Sequence, residues 1–498
     1  MFLRANDPCN LAFLPPWRRF IWRFFLSTPV TTPVSSRAVR WFSLFKEALL
    51  GSKQDFTAIS IDRAIVLLAV PMVLEMAMES LFGIVDIFFV AHLGADATAT
   101  VGITEGMLVM VMAVAIGLSM GTTAVVARRT GEHDKDGAAE AAVQAIVIGV
   151  VVSAVVFAIC FPLAPWFLKL MGASAGILQT GSTYSRIMLS SSGVIVMLYL
   201  INAIFRGAGD AAVAMRVLWL ANWINIILDP CLIRGLGPFP RLGVTGAAVS
   251  TTIGRSIGIL FQLYVLSKGS PHLEVMRKHV RLIGPVMLNI LRLAGTGALQ
   301  FGIATANWVM MVRMVQSFGS AATAGYTIAI RIVIFSIMPS WGLGGAAATL
   351  VGQNLGAKQP ERAEQSVWRS AYLNMLFLGG VSLLFMIFAP YLVGIFSSDP
   401  EIIHSGAACL RIISACYLLF AYGIVIVQAF NGAGDTWTPT WINLLSYWIV
   451  PLPLAYFLGH RLGMGPNGVY IAMLTAEIIL AVIAITVFRR GKWKVKVV

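Results

Sequence analysis

Twelve apolar stretches leave this chain few choices of fold. They lie at about 65–91, 101–127, 141–168, 183–205, 212–233, 244–266, 286–316, 325–350, 367–395, 405–429, 438–458 and 468–488. Each is long enough to cross the roughly 30 Å hydrocarbon core of a bilayer as an α-helix. Hydrocarbon offers no water to satisfy the backbone, so it admits only helices or closed barrels. The period-2 alternation of a barrel strand is not found. Charged residues make up 12% of the 498 positions, about half the ~25% of a soluble domain. The sequence predicts an all-α polytopic membrane protein with twelve transmembrane helices.

The chain is also written twice. FRGAGD at 205–210 returns as FNGAGD at 430–435, 225 positions later. At the same shift Gly94 meets Gly319, Val126 meets Val351, Gly131 meets Gly356, and Arg186-Ile187 meets Arg411-Ile412. This register needs no gap over about 140 residues, which marks an internal duplication and not a recurrent turn. It slips by about four residues after the GAGD turns, where Asn222 and Pro230 align with Asn443 and Pro451. Six spans fall in each copy. Because six is even, both copies start on the same side, so the repeats are parallel and related by an axis along the membrane normal. That arrangement predicts two six-helix lobes around a central cleft.

Lys and Arg orient the chain. One set of loops holds Arg128, Arg129, Lys135, Lys268, Arg277, Lys278, Arg281, Lys358 and Arg362, and the tail adds Arg489, Arg490, Lys492, Lys494 and Lys496. The opposite loops hold Lys169, Arg234, Arg241 and Arg461. The positive-inside rule places both termini in the cytoplasm, and the net charge of +14 reflects this asymmetry, not nucleic-acid binding. The expected divisions are a basic-aromatic leader at 1–62, interfacial or disordered, an amino-terminal lobe at 63–275, a carboxy-terminal lobe at 276–490, and a basic tail at 491–498. Within the leader, WRRFIWRFF at 17–25 mixes arginine with aromatics, and AVRWFSLFKEALL at 38–50 reads as an amphipathic helix on an anionic leaflet.

Several signals carry no chemistry. Cys9, Cys160, Cys231, Cys409 and Cys416 show no CxxC or metal spacing, and the six histidines are scattered. GAGDAA at 207–212 matches a dinucleotide fingerprint in letters only, since a membrane helix and not a strand precedes it. No nucleophile with a His or Asp partner is evident, so an enzyme is not expected and no cofactor is called for.

Ionisable groups inside hydrocarbon are functional candidates, because each costs at least about 2.5–3.5 kcal/mol to insert. The first span, PMVLEMAMESLFGIVDIFF, holds Glu75, Glu79 and Asp86 within about 40° of one another on a helical wheel. Glu105 lies in the second span. The fifth span, NWINIILDP, sets Asn222, Asn225 and Asp229 within a wedge of about 60°. Carboxylates beside asparagine either bind a hard cation through oxygen or take up a proton. At the 225 shift Glu75, Glu79, Asp86 and Glu105 meet Gln300, Ala304, Met311 and Ile330, so the scaffold was copied and the acids were not. Among the second-copy spans only Glu477 is clearly embedded. Pro71 sits fifteen residues before Asp86, where it interrupts the helical hydrogen bonding and offers a hinge.

These stretches resemble the multidrug and toxic compound extrusion (MATE) transporters over about residues 60–490. The matching segments are AVPMVLEMAMESLFGIVDIFFVAHLG, ARRTGEHD at 127–134, INAIFRGAGD, INIILDP and GVTGAAVST. The likeness is greatest to the branch typified by DNA-damage-inducible protein F. It implies a secondary active antiporter of the bacterial cytoplasmic membrane that exports organic cations or other amphipathic compounds in exchange for H⁺ or Na⁺, acting as a monomer. It also implies that Asp86 and Asp229 couple the ion, with Asn225, Thr251, the Ala247 backbone and Asn202 as polar neighbours. A Na⁺ would then sit among Asp86, Asp229, Asn225 and Thr251, and Pro71 would be the hinge of the first helix. Glu79 stands where relatives usually have glutamine. With Glu75 and Glu105 it makes the lobe more acidic than the pattern, and all three are candidates to line the substrate cleft. The competing expectation is a lipid-linked sugar flippase of the same broader superfamily, with Arg216, Arg255, Arg313 and Arg331 as candidates for holding pyrophosphate.

Overall fold

The computed structural model describes residues 34–496, so the 17–25 stretch lies outside the described residues. These group into two units, one ending at Lys46 and one beginning at Glu47. The first unit carries most of helix α1 (Val34–Leu50), whose Phe42 and Phe45 are exposed. The second unit, taken alone, contains the membrane spans.

The spans of the amino-terminal lobe are α2 (Ile61–Ala91), α3 (Ala95–Gly131), α4 (Lys135–Leu170), α5 (Ala175–Ser190) running into α6 (Ser192–Ala208), α7 (Ala211–Arg234) and α8 (Val244–Lys268). Those of the carboxy-terminal lobe are α9 (Gly284–Gln316), α10 (Ser320–Gly356), α11 (Pro360–Gly394), α12 (Pro400–Ser414) with α13 (Tyr417–Gly432), then α14 (Trp437–Leu444) continued by α15 (Pro451–Tyr456), and α16 (Pro466–Arg489). Among the described residues eleven helices can each cross a membrane, and α12 with α13 makes a twelfth span bent by 60°. The twelve expected spans are therefore met, one of them as a broken helix. Side chains cap several starts: Asp134 accepts from the Gly137 amide at 2.8 Å and Asp399 from the Glu401 amide at 2.9 Å.

The duplication is visible in backbone angles as well as letters. His133 and Lys358, 225 positions apart, both take φ 58°. Gly209 and Gly434, the second glycines of the two GAGD turns, have φ 97° and 81°, a conformation glycine adopts without a Cβ penalty. The register slip falls in the eleventh span, which is wound into two π-turns, Leu445–Ile449 and Phe457–Arg461, where its counterpart α7 is regular.

The two lobes meet through glycine. A Cβ on Gly117 would come 2.4 Å from the Ala294 oxygen, one on Gly121 2.7 Å from the Ile290 oxygen, and one on Gly342 2.7 Å from the Val73 nitrogen. At the end that carries Arg128 and Lys358 the approach is closer still: a Cβ on Gly131 would come 1.9 Å from the Gln353 oxygen and one on Gly356 2.2 Å from the Arg128 oxygen. Hydrogen bonds joining the halves gather at this basic end: Gln353 donates to the Gly207 carbonyl at 3.0 Å, Thr349 to the Arg206 carbonyl at 3.2 Å, and Arg369 to Asp62 at 2.6 Å. Farther from it the lobes part. The face of α3 that meets α9 at Gly117 continues about two to three turns earlier as Met110 and Gly106, both exposed, and Met110 is 79% exposed. The matching face of α10 shows Arg331 and Phe335, also exposed. These walls bound the cleft.

Residues 51–60, expected to belong to a leader, pack into the second unit. Phe56 is buried against Gly209 and stacks on His272 with ring centroids 5.8 Å apart. The carbonyls of Phe56 and Ile59 accept from Arg362 of the carboxy-terminal lobe. His272 lies 2.8 Å from Asp210 and 3.1 Å from the Gln54 carbonyl. Burial works against its charge, but the bond and charge of Asp210, the Gln54 carbonyl and Asp55 outweigh burial and hold the imidazole above its ordinary value.

Gly356→Val is expected to lower the thermal midpoint of the purified protein, with an overpacking cost of at least about 2 kcal/mol, whereas Gly102→Val, which has nothing within 4 Å, should leave it unchanged. His272 carries a raised folded value. Its contribution is therefore complete below its unfolded value of about 6.5 and is lost as pH rises through the folded value. The midpoint difference between wild type and His272→Gln should accordingly be larger at pH about 6 than at pH about 9.

Candidate functional site

Three helices of the amino-terminal lobe bring their polar residues to one place. Asp86 comes from α2, Asn225 and Asp229 from α7, and Ser250 and Thr251 from α8. Asp229 and Asn225 are fully buried, at 0% exposure. The Thr251 hydroxyl donates to Asp86 Oδ2 at 3.2 Å, and Asn225 Nδ2 lies 3.2 Å from Thr251 Oγ1 and 3.4 Å from Asp229 Oδ1. The Ser250 hydroxyl donates to Asp229 Oδ1 and lies 3.1 Å from the Ala247 carbonyl. The two carboxyl groups are linked through Thr251 and Asn225, and their charges act on each other. Three buried oxygens of this ring, Asp86 Oδ1, Asp229 Oδ2 and Asn225 Oδ1, have no partner in the protein. Acceptors that face one another without a donor make a receptor for a proton or a hard cation. Among the described residues no three His, Cys, Asp or Glu side chains cluster as metal ligands, so a cation here would rely on neutral oxygens beside the two carboxylates.

Two other embedded acids of the lobe, Glu75 and Glu79, are answered by cations. Glu75, 1% exposed, accepts from Arg206 at 3.0 Å and from Asn202 at 3.1 Å, and Gln262 donates to Asn202 at 2.6 Å. Glu75 therefore does not line the cleft, and Asn202 belongs to this second cluster and not to the ring around Asp229. Glu79 accepts from the Tyr199 hydroxyl at 2.9 Å and lies 3.7 Å from Arg255. Arg255 also sits over the Phe82 ring, 4.6 Å from its centroid. Glu105 is exposed on α3 and interacts electrostatically with Asp86, Arg331 and Arg255. The expected excess of negative charge is thus largely neutralised: Arg206 pairs with Glu75 and Arg255 with Glu79, which leaves Asp86 and Asp229 as the pair without a bonded cation. Asn222, which shares the wedge of α7, instead ties that helix to α2 by donating to the Met78 carbonyl at 3.2 Å. Pro71 is buried in α2, two residues from the Val73 backbone that Gly342 approaches. It stands where the helix bearing Asp86 touches the other lobe.

Sequence reasoning missed Ser250, Tyr184 and the role of Arg255. Arg255 follows Thr251 by one helical turn, a spacing that puts both on one face. That signal was present in GVTGAAVSTTIGR. Tyr184, buried beside Asp86, Glu105 and Asp229, left no comparable trace.

The profile of the MatE family matches residues 71–231 and 299–457, one block in each copy. A probable multidrug resistance protein NorM of Thermotoga maritima is 28% identical over 461 residues, which cover 92% of this chain and 97% of that protein. A MOP superfamily transporter from Pyrococcus furiosus is 25% identical with a TM-score of 0.83, covering 89% of this chain and 98% of that one. A multidrug resistance MATE family transporter in an outward-facing conformation gives a TM-score of 0.81 at 25% identity, with coverage of 87% and 96%.

Removing one member of a buried ion pair strands the other. Arg206→Gln is expected to destabilise the protein by about 3–5 kcal/mol, seen as a lower thermal midpoint. Adding Glu75→Gln to that variant should restore most of the loss, and no recovery would refute the pairing as the cause.

Proposed function

Since the chain belongs to the MatE family of membrane transporters, we propose that it is a secondary active antiporter which exports organic cations or other small amphipathic compounds from the bacterial cytoplasm in exchange for H⁺ or Na⁺. The protein is an integral membrane transporter and not an enzyme. The observation that carries the coupling is the ring of three unpartnered oxygens on Asp86, Asp229 and Asn225. Two carboxylates in contact repel unless a proton or cation lies between them. Loading the ring draws α2, α7 and α8 together, and unloading lets them part.

The position of Pro71 links that step to the cleft. It lies fifteen residues from Asp86, about 22 Å along the helix, beside the Val73–Gly342 contact between lobes. A bend of α2 there changes how the lobes pack and so which end of the cleft is open. With the basic end in the cytoplasm, as the positive-inside rule has it, lobes joined at that end correspond to a cleft open to the outside. The driving force is adequate: one charge crossing 100 mV supplies about 2.3 kcal/mol, about a fortyfold concentration ratio for the cargo. The flippase reading finds less support, because Arg216 bonds the carbonyls of Ala212 and Leu50 while Arg255 pairs with Glu79. Two of the four arginines it needs are occupied elsewhere.

The test is efflux of a fluorescent organic cation from reconstituted vesicles under a pH gradient or a Na⁺ gradient imposed separately. Export driven by one gradient names the ion. Asp86→Asn is expected to abolish driven export while leaving the thermal midpoint near that of wild type, and full export by that variant would overturn the assignment of the coupling site.

A further inference from the structure

The carboxy-terminal lobe holds one embedded acid that the proposed cycle leaves idle, Glu477 on α16. Helices α16 and α8 start alike, behind Gly465 at φ 62°, ψ −144° and Gly243 at φ 57°, ψ −137°. Twelve residues after each glycine stand Glu477 in one lobe and Arg255 in the other. The duplicated scaffold therefore carries opposite charges at the same place. In the amino-terminal lobe the guanidinium answers Glu79. In the carboxy-terminal lobe the counterparts of the ion ring are apolar or neutral, with Met311 for Asp86 and Val450 for Asp229, and Glu477 stands alone.

Among the described residues its hydrogen-bond partner is the Tyr447 hydroxyl, 3.3 and 3.4 Å from its two oxygens. That hydroxyl has one hydrogen and can serve only one oxygen at a time. The titratable groups facing Glu477 are Tyr447, and Cys416 and Tyr417 at the α12–α13 break. None supplies a positive charge. The surroundings are irregular on two sides. Tyr447 lies in the π-turn Leu445–Ile449, where the buried Ser446 hydroxyl has no partner, and Cys416 and Tyr417 flank the 60° bend. Such π-turns concentrate at functional sites because they free backbone groups and permit rewinding.

We propose that Glu477 is a second ion-binding site, specific for the proton, which the carboxy-terminal lobe loads and empties at its two helix breaks. A carboxylate with no cation nearby is costly in hydrocarbon, and a proton on one oxygen removes the charge while Tyr447 bonds the other. One carboxyl and one phenol offer too few oxygens for a metal ion, which takes about six. The proton therefore moves between solvent and a Glu477 oxygen, with no other bond made or broken. The consequence for transport, one more proton per cargo, rests on the antiport reading, whereas the site itself does not.

The experiment reads the protonated-carboxyl stretching band by infrared difference spectroscopy between acid and alkaline buffer. It uses purified full-length protein in an Asp86→Asn, Asp229→Asn background. Subtracting the spectrum of the same background carrying Glu477→Gln should leave one titrating carboxyl band, since the bands of Glu75, Glu79, Glu105 and the surface acids are common to both and cancel. Tyr447→Phe, which keeps the ring, should retain the band but shift its frequency and midpoint. No difference between those two spectra, or a Glu477 band that does not change with pH, overturns the proposal. In vesicles, Glu477→Gln alone should lower the steady-state cargo gradient about tenfold for each pH unit imposed, and an unchanged gradient overturns its use in the cycle. If wild type shows no driven export the antiport reading fails, yet the infrared result still decides the site.

Discussion

Hydrocarbon leaves no polar group unanswered, and that one constraint orders most of what this protein is. It forces the backbone into twelve helical crossings and requires each embedded charge to find an opposite. Glu75 finds Arg206 and Glu79 finds Arg255. Asp86 and Asp229 each find a hydroxyl, Asp229 an amide as well, and three oxygens of the group find nothing. What remains unpaired there after Glu75 and Glu79 have been paired is the ring to which the proposed function assigns the coupling ion.

The duplication supplies a machine with two equal walls and unequal chemistry. Glycines at corresponding places, Gly117 with Gly342 and Gly131 with Gly356, let the helices of the two lobes touch backbone to backbone. The ring of Asp86, Asn225, Asp229, Ser250 and Thr251 sits wholly within one lobe and not between the two. Pro71 and Gly342 lie where that lobe touches the other wall. Residues 51–60 add a further tie, since Phe56 lodges against Gly209 and His272 while its carbonyl accepts from Arg362.

The number of spans, their pairing into two copies and the concentration of embedded acids in the first copy, with Glu477 alone in the second, were legible in the sequence. Each depends on hydropathy or spacing, which are local and survive without three dimensions. Asp86, Asn225, Asp229 and Thr251 come together as expected. Glu75 and Asn202 are drawn apart from them into their own cluster, and the acidity of the lobe turns out to be balanced. Wheel positions place side chains on a face of one helix but say nothing about what the neighbouring helix presents. The broken twelfth span was likewise invisible, since a 60° bend between Ser414 and Tyr417 needs no proline or glycine at the break itself.

The sequence by itself determined a twice-written, twelve-span membrane protein with most of its embedded acids in the first copy, because length, apolarity and repeat are properties of the chain. Only the tertiary structure decided which charges are silent. Arg206 stands 131 residues from Glu75 and Arg255 176 residues from Glu79, and no local pattern reports a partner that reaches in from a different helix. Ser250 completes the ring around Asp229 for the same reason. Whether a buried carboxylate is structural or ready for an ion depends on what lies within a few ångströms of it, and that is set by packing.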